Sequence, residues 1–207
     1  MNRKLLALIS AAGLIVVAAS SGSAVARTPA FQCRSASCLF KLSGRALELN
    51  FGGSRIRCAS VTGKGSFDRV SGSSVLDLQG CREGVTVFGF RCSDSVARGG
   101  PVRTAPMGTE VKWGSEKEPK VVFLGLRATF RCSGAMSFYV EGFLVGHLDR
   151  SQCNGGASEY QLEPVLFAHG GIGNEPAYDI YVDANVETYK VPTPWQMQFG
   201  RDVTLEC

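Results

Sequence analysis

Along most of this chain the apolar residues recur at every second position, not every third or fourth, which is the spacing of strands with one buried face. In Arg45-Ala-Leu-Glu-Leu-Asn-Phe51, the side chains of Leu47, Leu49 and Phe51 share one side and those of Ala46, Glu48 and Asn50 the other, and Gly52-Gly53 then turns the chain. The same pattern marks strands over residues 55–59, 74–79, 85–92, 110–113, 120–124, 128–132, 136–145, 160–167, 178–184, 186–191 and 202–206. About a dozen short strands, most parted by Gly, Asp or Ser and with no long helical period between them, predict an all-β fold, an antiparallel sandwich or barrel.

The first residues follow a different pattern. Met1-Asn2-Arg3-Lys4 stands before an apolar run, residues 5–19, broken only by Ser10 and Gly13, and the run ends in Ser-Ser-Gly-Ser and Ala24-Val25-Ala26. A basic start, a short apolar core and small residues at the minus-three and minus-one positions are what a signal peptidase reads, so cleavage is expected after Ala26. The alternative is an uncleaved anchor, but a spanning helix wants about 20 apolar residues and this run turns polar sooner. A lipid anchor would need a cysteine just after the cleavage point, whereas the first one is Cys33. Residues 27–207 are then expected to be a single disulfide-stabilised β domain, secreted and extracellular, with no stable membrane insertion after cleavage.

Charge narrows the partners. Removing Arg3 and Lys4 with the leader leaves 20 basic against 18 acidic side chains. The basic residues are scattered singly, as at Arg55, Arg57, Arg91, Arg103 and Arg131, without the stripe that displaces counterions from phosphate, which argues against nucleic acid.

All eight cysteines, Cys33, Cys38, Cys58, Cys81, Cys92, Cys132, Cys153 and Cys207, lie beyond the expected cleavage point. In an exported chain this even number predicts disulfides. Zinc is the competing reading, but no Cys-x-x-Cys occurs and neither His147 nor His169 is close to a cysteine, so no metal and no cofactor is expected. Three segments, Ile56-Arg-Cys58, Phe90-Arg-Cys92 and Phe130-Arg-Cys132, place an apolar residue and a sulfur on one strand face and Arg on the other. The pairing expected from position is Cys33 with Cys38 and Cys153 with Cys207 at the ends, Cys81 with Cys92 across a hairpin, and Cys58 with Cys132 between distant strands.

The order Ile56-Arg-Cys58, Gly63-Lys-Gly65, Gly80-Cys81, Phe90-Arg-Cys92, Pro101-Val-Arg-Thr104, Phe130-Arg-Cys132-Ser-Gly134 and Val140-Glu-Gly142 resembles a group of uncharacterised exported cysteine-containing β proteins of actinobacteria. The resemblance spans residues 40–150 and implies a small secreted β domain. It brings no established activity with it.

Catalytic constellations are sparse. The Gly-x-Ser-x-Gly elbow is absent, and His169-Gly170-Gly171, which faintly resembles an esterase oxyanion loop, stands too near the chain end to precede a nucleophile and reads as a turn. His147 alternates with Leu148 at a strand end, where a solvated histidine is the plainer reading than a general base. Glu141, Asp149, Glu159 and Glu163 offer carboxylate pairs for glycoside hydrolysis, as the acids of any such chain do.

Tyr160, Tyr178, Tyr181, Tyr189 and Trp195 gather near the end of the chain. Period two puts Asp179, Tyr181 and Asp183 on one strand face, a candidate partner-binding surface joined by Trp195 and bordered by a glycine-rich loop over residues 168–176. The expected function is that of a secreted, non-catalytic protein acting by binding an extracellular protein or glycan, or as a cell-envelope component. The alternatives are a secreted hydrolase with an unrecognised carboxylate site and an inhibitor or toxin presenting a braced loop.

Overall fold

The computed structural model describes residues 28–51, 54–83, 92–93, 102–132, 137–174, 178–180, 187–190 and 193–207. The expected leader, its cleavage point at Ala26, and Tyr181 and Asp183 lie outside the described residues. The strands are β1 (Ala30–Gln32), β2 (Cys38–Phe51), β3 (Ser54–Asp68), β4 (Ser71–Gln79), β5 (Arg82–Glu83), β6 (Cys92–Ser93) and β7 (Val102–Arg103). They continue as β8 (Met107–Trp113), β9 (Pro119–Cys132), β10 (Ser137–Leu148), β11 (Gly156–Asn174), β12 (Tyr178–Ile180), β13 (Glu187–Lys190) and β14 (Trp195–Glu206). Among the described residues the helical content is a single 3-10 turn, Arg150–Gln152, capped by the Asp149 side chain.

Strands β2, β3, β4, β8, β9, β10, β11 and β14 each pair antiparallel with the next, and β14 pairs with β2 as well as β11, which closes the ring. The all-β expectation is met by an up-and-down barrel of eight strands in chain order, not by a sandwich. Two sheets would each have kept open edges, whereas the β14–β2 pairing gives those edges partners.

A barrel of eight strands is just wide enough for its inward side chains to fill it. The void left among Leu47, Leu76, Leu126, Val140, Leu144 and Trp195 measures about 10 Å³, room for at most one water. One end is stopped by rings: Phe31 of β1 lies 5.0 Å from Phe67, 5.1 Å from Phe199 and 5.3 Å from Tyr160. β1 reaches this position by pairing with the last residues of β14, Thr204 to Glu206, while the Phe31 N–H donates to the Arg69 carbonyl at 3.0 Å.

The barrel strands run longer than the residue pattern suggests because glycines sit inside them, facing the lumen. A β-carbon at Gly65 would lie 2.5 Å from the Phe40 ring, and one at Gly44 would lie 2.2 Å from the Trp195 indole. These glycines are where bulky rings from neighbouring strands use the interior. Inward alternation also slips in places: in β9 it passes from Phe123 to Leu126 across Gly125 at φ +72°, where the pairing with β10 shifts register. His169-Gly170-Gly171, expected as a turn, lies within β11 opposite Glu141, Val140 and Tyr139, and the expected loop over 168–176 is strand as far as Asn174. Pro164, which has no N–H to give, sits where β11 exchanges β14 for β13 as its neighbour, between Leu162 and Val165.

Cys33–Cys38 and Cys153–Cys207 are bonded as expected, but Cys58 is bonded to Cys81, not to Cys132. The reason is register. After β4 the chain bends at Gly80 (φ +60°) and continues along β3 as β5, with Arg57 opposite Arg82, which leaves Cys81 facing Cys58. Cys132 is three strands away on β9, where its backbone partner is Cys92. The pairing of Cys81 with Cys92 is excluded by the same bond.

Candidate functional site

With the lumen filled, concave space lies on the outside. Among the described residues, a hollow of about 620 Å³ crosses the outer face of β14, β2, β3 and β4. Cross-strand register builds it in two rows. Gln198, Lys41, Lys64 and Val75 stand side by side in one row, and Leu39, Ser66 and Ser73 form the next. Ser66, Ser73 and Gly200 keep the floor low, while Leu39, the lysine stems and Pro106 form the walls. Leu39 is 71% exposed, although its neighbours Cys38 and Phe40 are core residues.

Lys41 and Lys64 are direct cross-strand partners, an arrangement of like charges that costs stability. Among the described residues no carboxylate lies within ion-pair distance of either. Asp77, whose carboxylate is bound by Arg103 at 2.7 and 3.0 Å, is held below its ordinary pKa chiefly by that hydrogen bond, and the Lys64 charge adds a little to the lowering. Gln198 donates to Glu159 at 3.2 Å, so this acid is engaged at the border of the row. The hollow continues, through Leu39, Phe199 and Gly200, into a second of about 280 Å³ beside the Cys33–Cys38 loop, rimmed by Arg34, Arg201 and Asp202.

A second feature lies at the end of the barrel where the β8–β9 turn and the 3-10 turn meet. A cleft of about 540 Å³ is lined by Glu116, Glu118, His147, Asp149, Arg150 and Glu163, among others. His147 projects outward between its register partners Lys120 and Glu163, and its Nδ1 is 3.5 Å from Glu118 Oε1. Backbone N–H groups of Glu118 itself and of Glu116 hold the Glu118 carboxyl below its ordinary pKa, against the cost of burial, and His147 and Lys120 add to the lowering. Asp149 is likewise lowered, chiefly by the Ser151 N–H it accepts at 2.8 Å as helix cap. Of the four acids marked in the sequence, Asp149 and Glu163 meet His147 here. Glu141 is engaged by Arg127 at 3.1 Å, and Glu159 by Gln198. Glu116 and Glu118 escaped notice because nothing local places a turn acid beside a histidine 29 positions along the chain from Glu118.

An apolar patch completes the outer surface. Leu124, Phe143 and Phe167 are register neighbours on β9, β10 and β11, with the two rings stacked at 4.8 Å. Leu124 and Phe143 are each more than one-third exposed.

Of the four residues expected to bind a partner, Trp195 is the one whose side chain is described. Trp195 is 1% exposed and packs in the lumen against Gly44, so it takes no part in an outer surface. It sits at an alternate inward position of β14, between exposed Pro194 and Gln196. Asp179 is placed on β12 opposite Gly173, while Tyr181 and Asp183 lie outside the described residues. Tyr160 is also core, donating its hydroxyl to the Val203 carbonyl. Among the described residues no group of three or more His, Cys, Asp or Glu side chains is arranged to hold a metal ion. No family model, curated protein or solved structure matches this chain.

Proposed function

We propose that the protein is exported, with residues 1–26 as a cleaved leader, and that the barrel is a non-catalytic binding module working from its outer wall. The observation that carries this reading is the contrast, among the described residues, between a luminal void of about 10 Å³ and an outer hollow of about 620 Å³ edged by lysines without an ion-pair partner. The three disulfides among the described residues suit an oxidising compartment, and the exposed Leu124–Phe143 patch offers contact area of the kind partners use. The test has two parts. N-terminal sequencing of the secreted protein is expected to begin at Arg27. Immobilised residues 27–207 are expected to capture a saturable partner from culture supernatant or cell wall. Capture is expected to be lost in Lys41→Glu/Lys64→Glu or Phe143→Asp and kept in His147→Ala; retention in both surface variants would remove the reading.

A hydrolase reading is favoured by one specific observation, the His147–Glu118 contact inside an open cleft with Glu163 and Asp149. A glycosidase or esterase activity abolished by both His147→Ala and Glu118→Gln would establish it in place of the first.

A further inference from the structure

We infer that the outer hollow binds a single-chain anionic amphiphile, an acyl chain ending in a carboxylate or comparable acid, with the acid between Lys41 and Lys64. The inference rests on the reading of the outer wall as the working surface and names what that wall takes. Three features point to this chemistry.

The first is charge. Lys41 and Lys64 are adjacent across β2 and β3, without an ion-pair partner among the described residues, and continued along the same trough by Arg34 and Arg201, which outnumber the one acid there, Asp202. An acid placed between the two ammonium groups turns a like-charge repulsion into two attractions. The second is the floor. Beyond the lysines the lining is mostly carbon, from Leu39, Val75 and Pro106, over a bed of serine and glycine that leaves space. The trough is about 14 Å across its four strands at ~4.8 Å per spacing, and with the acid midway across it the acyl chain has the second hollow, reached through Leu39, Phe199 and Gly200, to run into. The third is what the trough lacks for other occupants. Its strands are hydrogen-bonded to neighbours on both sides, so an extended peptide finds no open ladder to join. The rings beneath it, Phe40 and Phe199, are 3% and 6% exposed, so a sugar finds no face to stack on. The filled lumen excludes the interior route by which barrels of this size take up apolar ligands.

The experiment is calorimetric titration of the mature protein with dodecanoate below its micellar concentration, beside acetate and dodecyltrimethylammonium. Saturable one-to-one binding of dodecanoate alone is expected, weakened about tenfold or more in Lys41→Glu/Lys64→Glu and relieved by added salt. Ser73→Leu, which raises the floor without changing charge, is expected to weaken it similarly, and carries the test should the double variant fail to fold. The inference is overturned if dodecanoate does not bind, if the cationic amphiphile binds as tightly, or if Ser73→Leu binds dodecanoate like the wild type. A partner still captured from the cell wall alongside such a result would leave the binding role standing and remove only this ligand class.

Discussion

Tyr160, one of the aromatic residues gathered near the end of the chain, occupies an expected strand position and is fully buried. Its ring packs edge-on to Phe31 and Phe199, and its hydroxyl donates to the Val203 carbonyl while accepting the Leu205 N–H at 3.2 Å. Tyr160→Phe leaves both backbone groups without that partner in the core, and a loss of about 1–3 kcal/mol is expected by urea unfolding. Wild-type stability in the variant would show that the hydroxyl does not hold the end of β14. Acid sensitivity belongs to this scale too. Asp77, lowered mainly by Arg103, Glu118, lowered mainly by its own backbone N–H, and Asp149, lowered mainly by Ser151, all ionise more readily folded than unfolded. Their contribution is therefore complete above the ordinary carboxylate pKa of about 4 and is lost as pH falls through the lower folded values. Urea midpoints measured from pH 7 down to pH 2 are expected to be level at first and then to drop. A midpoint that rises below pH 4 would contradict the assignment.

At the scale of the strand, period-two alternation located most elements, and it failed where the barrel bends. Leu47, Cys58 and Phe130 face inward as their patterns require, and Arg57 points out to Glu48 at 2.7 Å. His169-Gly170-Gly171, by contrast, reads as a turn and is strand, and Gly63-Lys64-Gly65, which falls in none of the expected strands, lies within β3. A glycine at a turn and a glycine beneath a neighbour's ring are identical in sequence; only the packing of Trp195 on Gly44, or of Phe40 on Gly65, tells them apart. Gly44→Ala is accordingly expected to destabilise by about 1–3 kcal/mol, since its β-carbon must displace the indole, whereas Gly156→Ala, whose β-carbon would be 3.7 Å from Thr204 Oγ1, is expected to change stability by less than about 0.5 kcal/mol. Equal melting temperatures for the two variants would refute the close packing at Gly44. The candidate hollow shares this dependence on pairing: Lys41 and Lys64 lie 23 positions apart in the chain and become neighbours only through the β2–β3 register.

For the molecule as a whole, the bonds between cysteines rank by the loop each closes. Chain separations of 54, 23 and 5 residues for Cys153–Cys207, Cys58–Cys81 and Cys33–Cys38 imply losses of about 4, 3 and 2 kcal/mol on replacement by serine pairs, in that order, in the chain-entropy model. Thermal melts of the three double variants check the order, and a Cys33–Cys38 replacement costing the most would refute it. Peptide mapping without reductant is expected to return Cys58 linked to Cys81 and to leave Cys92 and Cys132, backbone partners across β6 and β9, as the remaining pair.

The sequence by itself determined what depends on neighbours along the chain. Alternation specified an all-β chain with an inward face, the basic and apolar opening specified an expectation of export, and the cysteines near each end specified two of the bonds. Tertiary structure alone decided closure into a barrel, the Cys58–Cys81 bond, the burial of Trp195 and the grouping of Lys41 with Lys64 or of His147 with Glu118. Each of these is a matter of register between strands distant in sequence, and a one-residue slip in register carries every side chain to the opposite face of the wall.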